Sequence, residues 1–323
     1  MSETDAAAIR AREPSQLAEE AAEPEPTLKS AIAGEVLGGF IIILIGDGVV
    51  AIGTLTQSGV GDLFSAGFGW ALAVALAIYC AASLSGAHFN PAVTLALAST
   101  GRHPWRRVLP YIGAQIFGML LGAAVLSLFW WPTIRAFARD NGLTIGQAGS
   151  EKIAAIFSPY SPHPGFVGVD KFPLQIGFWQ GFAVEFFATA LLLIVILSLL
   201  ESRSVNAPSS WFFPLIVGLT VGVLVFTTAP LTMTSLNPAR DLGPRIMLFF
   251  LGFGKIAFPG INQGLSLLVT TIGPIAGGVA GALFFDKVLL RNFPEPERAK
   301  GPVTEPAQLA EEGDSAQVRP ARG

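Results

Sequence analysis

Cysteine occurs once in 323 residues, at Cys80, so no disulfide can form within the chain. Cys80 sits in an apolar run, where a thiol is expected to pack as a small hydrophobe. Histidine is almost as scarce. His88, His103 and His163 stand apart, with no metal-ligand cluster, no nucleophile–base pair and no phosphate-cradling glycine loop around them. Neither an enzyme nor a bound cofactor or metal is expected. Charge is the third shortage: 13% of residues are Asp, Glu, Lys or Arg, against about 25% in an ordinary soluble domain. With 51% hydrophobic residues and a mean hydropathy of +0.57, a soluble globule is excluded and a polytopic membrane protein remains.

The acids that do occur crowd the ends. Residues 1–28 hold Glu3, Asp5, Glu13, Glu19, Glu20, Glu23 and Glu25 against Arg10 and Arg12, and 292–323 are acidic as well. Both segments are rich in Pro, Ala and Glu and too polar to bury a core, so each is expected to be a solvated, disordered tail. The first apolar run starts near Ala31, too late for a cleavable signal, and reads as an uncleaved anchor. A membrane domain over 29–291 remains.

Within it six runs are long enough to cross a bilayer, which takes about 20 residues. They lie near 31–52, 66–85, 108–130, 177–200, 211–230 and 265–290. Two shorter runs, near 91–100 and 238–250, each begin with Asn-Pro-Ala: Asn90-Pro91-Ala92 and Asn237-Pro238-Ala239. Asn caps a helix N-terminus and Pro suits its first turn, so both motifs read as helix starts. About ten residues at 1.5 Å each cross only half of the hydrocarbon core. Such half-helices turn back where their irregular backbone is buried or lines a wet cavity.

The arrangement repeats. Glu35 and Glu185 lie 150 positions apart, and Asn90 and Asn237 lie 147 apart. Gly118 and Gly122 in the third span echo Gly277 and Gly281 in the sixth, at a spacing that allows close helix contact. Each half, about 31–130 and 177–290, therefore reads span, span, half-helix, span. Three full spans per half give the halves opposite orientations. The expected fold is an all-α membrane protein, with six transmembrane helices plus two re-entrant half-helices in an inverted repeat with a midplane site. Lys29, Arg102, Arg106, Arg107, Arg203, Lys287 and Arg291 flank the spans on one side, whereas the 53–65 link has no Lys or Arg. The positive-inside rule puts the basic loops and both termini in the cytoplasm, and a plasma (inner) membrane location is expected.

Ser85-Gly-Ala-His-Phe-Asn-Pro-Ala-Val-Thr94 and Leu236-Asn-Pro-Ala-Arg-Asp-Leu-Gly-Pro-Arg245 resemble the signature segments of the aquaporin and glycerol-facilitator family of major intrinsic proteins. The resemblance spans about 30–290 and implies that the inverted repeat is arranged around a pore, in a homotetramer in the lipid bilayer with one pore per subunit. It also implies a passive channel for glycerol, water and other small neutral solutes, without nucleic-acid partners. Asn90 and Asn237 would donate amide hydrogen bonds to passing hydroxyls. Two positive helix ends meeting at mid-membrane would oppose cations and protons. Arg240, a costly charge in a membrane segment, corresponds to the family's filter arginine. Asp241 after it resembles the glycerol-conducting branch and suits a structural role, either bonding backbone donors or pairing with a nearby base, with Arg245 as candidate.

Trp70, twenty positions before Asn90, matches the family's aromatic filter residue, although a Trp in a span also serves as an interfacial anchor. Counting back from Asn237 puts Val225 and Thr234 at the other filter positions, where glycerol facilitators typically have Gly and Phe. A Trp-Val-Thr-Arg ring is wider and more polar than theirs and resembles the plant nodulin-like members. A slip of one residue brings Phe226 into the ring instead. Backbone carbonyls of Gly86, Ala87 and His88, and of Met233, Thr234 and Ser235, are expected along the rest of the path. His88 reads either as a gating switch or as a fixed loop hydrogen-bonder.

Glu35 and Glu185 have two readings, as proton-coupling groups of a transporter or as acceptors that hold the re-entrant loops. The resemblance favours the second, with no further acid expected mid-span. Asp47, in Gly46-Asp47-Gly48, is expected to be a terminal, partly wet acid. Phe157-Ser-Pro-Tyr-Ser-Pro-His-Pro164 resembles the long, proline-rich third loop of the glycerol branch, and 167–176 are extra length.

Overall fold

Apolar residues run almost unbroken from Leu28 to Thr56, and the chain follows them as one helix, α1. The computed structural model describes residues 26–56, 62–165, 176–204, 208–259 and 265–294. Most of both tails (1–25 and 295–323) and most of 167–176 lie outside the described residues. Helix α2 spans Leu63–Ser85, opened by Asp62, whose side chain accepts from the Ser65 amide at 2.8 Å, and closed by Gly86 with φ 81°. Half-helix α3 (Pro91–Ser99) follows, then α4 (Trp105–Asp140) and a single turn, α5 (Glu151–Ala154). The second half continues with α6 (Phe178–Leu200), α7 (Phe213–Thr232), half-helix α8 (Pro238–Leu248) and α9 (Ser266–Phe284). After α9 the chain stays helical in tighter and looser turns to Asn292, and six of the helices are long and apolar enough to cross a membrane.

The expected spans are all present, with one difference in extent. Helix α4 continues to Asp140 through Pro132, ten residues beyond the expected end of the third span. At 1.5 Å per residue its 36 residues are far longer than a hydrocarbon core of about 30 Å, so its polar end projects past the membrane.

Small residues set how closely the helices approach. A Cβ on Gly118 would overlap the Val36 backbone, and one on Gly277 would overlap the Phe186 backbone. Gly122 and Gly281 meet Phe40 and Ala190 in the same way. The contacted residues are again 150 positions apart, so α1 against α4 and α6 against α9 are one packing used twice. Helices α2 and α7 join the halves, with Gly218 over the Ala71 carbonyl and Gly222 over the Gly67 carbonyl. Each half-helix packs on the third span of the other half, α3 on α9 and α8 on α4. Arg102, just after α3, makes a bidentate ion pair with Asp286 at 2.7 and 2.8 Å, which ties the basic link to the end of α9. Cys80 differs from expectation: it lies exposed on the outer face of α2, because the inner face is taken by Ala77, Ile78 and Ala81.

Candidate functional site

The two Asn-Pro-Ala segments meet at the centre of the bundle, and the sequence accounts for the conformation of each. Asn90 and Asn237 keep extended backbones and cap their helices. The Asn90 Oδ1 accepts from the Ala92 amide at 2.8 Å, and the Asn237 Oδ1 accepts from Ala239 at 2.9 Å and Arg240 at 3.2 Å. Each side-chain amide also crosses to the other half. Asn90 Nδ2 donates to the Leu236 carbonyl at 2.9 Å, and Asn237 Nδ2 donates to the Phe89 carbonyl at 2.8 Å. One amide hydrogen on each Asn is thereby used to lock the half-helices end to end. The second remains for the cavity that both residues line.

The loops before the half-helices share an unusual backbone. Gly86, Ala87 and Phe89 have φ of 81°, 58° and 49°, and Met233, Thr234 and Leu236, 147 positions later, have 58°, 50° and 53°. Left-handed backbone costs a non-glycine residue roughly 1–2 kcal/mol, so these loops need outside support. Glu35 and Glu185 supply it, fully buried at equivalent places. Glu35 accepts from the His88 amide at 3.0 Å and the Phe89 amide at 2.7 Å, and from Gln115 Nε2 at 2.6 Å. Glu185 accepts from the Ser235 amide at 2.8 Å and the Leu236 amide at 2.9 Å, and from Thr232 Oγ1 at 2.5 Å.

These loops form one side of a cavity of about 410 Å³ that runs between the two ends of the bundle. Its mouths are marked by Thr54, Asp62 and His163 at one end and by Leu97, Leu200 and Phe213 at the other. The opposite side is apolar, with Ile42, Val74, Leu192, Ile196, Val217 and Val221. Trp70, Val225, Thr234 and Arg240 all line it, as do Gly86, Ala87, His88, Met233 and Ser235. Phe226 does not line it. Its ring stacks on Phe64 at 5.5 Å and covers Gly67.

Arg240 is 4% exposed and held on three sides. Its guanidinium carbon lies 4.7 Å from the Trp70 ring centre, Nη1 donates to the Phe157 carbonyl at 3.3 Å, and Nη2 is 3.4 Å from Asp47 Oδ1. Asp47 is completely buried, which overturns the expectation of a partly wet terminal acid and of no further acid mid-span. The helix simply continues for nine residues past it, to Thr56. Behind the site, Arg245 is paired with Asp241 at 2.6 Å, donates to the Ala257 and Pro159 carbonyls, and stacks on Tyr160.

A family model, Major intrinsic protein, matches residues 23–285. The chain belongs to that family. Over 268 residues it is 35% identical to the glycerol uptake facilitator protein of Escherichia coli K12, covering 83% of this chain and 91% of that protein. Human aquaporin-9 is 33% identical over 274 residues, 84% of this chain and 87% of its own length. The X-ray structure of the Plasmodium falciparum aquaglyceroporin superposes with a TM-score of 0.69 at 26% identity, covering 82% of this chain and 98% of that one.

Several residues of this major intrinsic protein escaped sequence reasoning. The Phe157 carbonyl that holds Arg240 is backbone and carries no sequence signal. Thr228 Oγ1 lies 2.8 Å from Thr234 Oγ1 and fixes that hydroxyl, a contact across the end of α7 that spacing alone does not single out. His103, which stands apart from His88 in the sequence, is buried with its ring 4.7 Å from that of His88 and 4.5 Å from Tyr111. His163 lines the mouth, and burial there lowers its pKa from 6.5 to about 4. The acidity of Asp47 inside an apolar run was a usable signal, since a buried charge calls for a partner.

Proposed function

We propose that this major intrinsic protein is a passive channel for glycerol and other small uncharged solutes, with some water permeability. The observation that carries the reading is the two-sided cavity: one apolar side, and one line of donors from Arg240, Asn237 and Asn90. A linear polyol can slide its carbon edge along the first while its hydroxyls exchange partners along the second. Trp70 and Arg240, with Val225 and Thr234, form the constriction that selects solutes. The relatives support glycerol, being a glycerol uptake facilitator protein and aquaporin-9.

Ion exclusion follows from the helix ends. Half-helices α3 and α8 present their N-termini, each worth about half a positive charge, to the same point of the cavity. A cation meets that potential, and a water there gives its oxygen to the free Asn amide hydrogens, which breaks a proton wire. We place the channel in the plasma (inner) membrane as a homotetramer with cytoplasmic termini. Residues 29–291 make the channel domain, flanked by solvated tails.

A second reading keeps the channel and changes the solute to urea, hydrogen peroxide, a protonated short acid or a metalloid hydroxide. The small side chains of Val225 and Thr234 favour it, because they leave the ring wider. An ion-coupled transporter is not favoured: the carboxylates of Glu35 and Glu185 are taken up by loop donors. Stopped-flow light scattering on proteoliposomes, under separate water, glycerol, urea and peroxide gradients, decides among these. Glycerol flux equal to that of empty vesicles rejects the first reading, and uptake that requires a pH or sodium gradient rejects the channel.

A further inference from the structure

Gly46-Asp47-Gly48 has no task in the channel reading, yet its residues touch two walls of the constriction at once. The Trp70 ring lies against Gly46 so closely that a Cβ there would stand 2.7 Å from two ring carbons, nearer than side chains come. The next residue, Asp47, is fully buried, and neither of its oxygens has a hydrogen-bond partner among the described residues. Among the described residues its one charged neighbour at short range is Arg240, at 3.4 Å. An acid is not kept in such a place for solvation or for capping, since α1 runs on past it to Thr56.

We infer that Asp47 is a positioning and specificity-determining residue of the constriction, holding the Arg240 guanidinium against Trp70 and cancelling its charge so that the filter offers donors without net positive potential. The inference rests on the channel reading and refines how its filter discriminates. Consecutive residues of α1 then divide the work. Gly46 admits the aromatic wall, and Asp47 fixes the cationic one. The Phe157 carbonyl completes the hold from the other side, 3.3 Å from Nη1. The Arg240 side chain is thus restrained on α1, on the 141–165 loop and by the Trp70 face, which leaves one edge for solute.

Cancellation of charge predicts what each deletion exposes. A low-dielectric cleft with one sign of charge raises the local concentration of the opposite ion. Replacing Asp47→Asn leaves Arg240 uncompensated, so formate uptake into proteoliposomes should rise about tenfold while glycerol flux persists. Replacing Arg240→Ala leaves the carboxylate uncompensated beside the cavity, so methylammonium uptake should rise by a similar factor of about ten. The decisive comparison is the double variant D47N/R240A, which carries neither charge. Its methylammonium uptake should fall to about one tenth of that of R240A. A merely structural role for Asp47 predicts the reverse, since a second lesion would only loosen the site further.

Glycerol flux of the parent protein in the same vesicles separates the two readings. Its absence rejects the channel, whereas its presence with a double variant as leaky as R240A rejects the role of Asp47. If R240A fails to assemble, unchanged formate uptake by D47N overturns the inference by itself.

Discussion

Replacing Glu185→Gln should loosen the second re-entrant loop without emptying its core. The carboxylate accepts three hydrogen bonds, two of them from the backbone amides of Ser235 and Leu236. In Gln one oxygen becomes an NH2 group, which faces an amide donor whichever way the side chain turns. One buried N–H is then unsatisfied, at about 1–3 kcal/mol, and the remaining bonds lose their charge assistance, about 1 kcal/mol each. Relief from burying a charge returns part of this, so a net loss of about 2–3 kcal/mol is expected. For a protein of this size that lowers the unfolding midpoint in detergent by roughly 3–6 °C. Glu185→Ala removes both oxygens and should cost about twice as much. Asn237 sits one residue beyond the loop, so glycerol flux should fall in both variants while remaining independent of a pH gradient. Differential scanning fluorimetry and stopped-flow measurements on the same preparations check both statements. An E185Q protein as stable and as permeable as the parent would refute the reasoning, and gradient-dependent flux in the parent would restore a proton-coupling role for Glu185.

Replacing Thr234→Phe adds an aromatic wall opposite Trp70 and breaks the 2.8 Å contact with Thr228, so flux should drop more for urea and larger polyols than for water; equal losses would place Thr234 outside the constriction. Arg245→Met strands the buried Asp241 carboxylate and should destabilise by about 3–5 kcal/mol, read as a lower melting temperature, with partial recovery in D241N/R245M. His163 has its pKa lowered to about 4 in the folded protein against 6.5 otherwise, so the unfolded loop binds its proton first as the pH falls. Docking of that loop is fully present above about pH 6.5 and weakens towards pH 4, moderated by water at the mouth, where His163 is only half-buried. Hydrogen exchange of residues 153–161 should rise over that range in the parent and stay flat in His163→Ala.

Much of this architecture was legible in the residues because membrane physics leaves few choices. A run of apolar residues without charge has to become a helix that satisfies its own backbone, which makes the six spans readable from composition. Asn followed by Pro starts a helix, so the half-helices were legible too, as was the repeat in Glu35 and Glu185, 150 positions apart, whose loop partners recur 147 positions apart. The end of α4 was less legible, because its last turns are polar and amphipathic and hydropathy stops where the membrane does. Cys80 went the other way: an apolar run says that a residue avoids water, but not whether it faces lipid or core.

What local sequence could not decide is which groups from distant elements share one point in space. Asp47, Trp70, Phe157 and Arg240 lie on four different segments, and the distance between them is a property of the packed bundle. Sequence by itself determined the fold and the half-helix starts and singled out Arg240 as a charge inside a membrane segment, because each is written in local chemistry: apolar length, capping residues, and a cation where none is cheap. Only the tertiary structure decided that Val225 rather than Phe226 lines the cavity, and that Asp47 is a buried partner rather than a wet end. Helix rotation and the close contacts at Gly46 and Gly67 fix both, and rotation is set by the neighbours a helix packs against, not by its own residues.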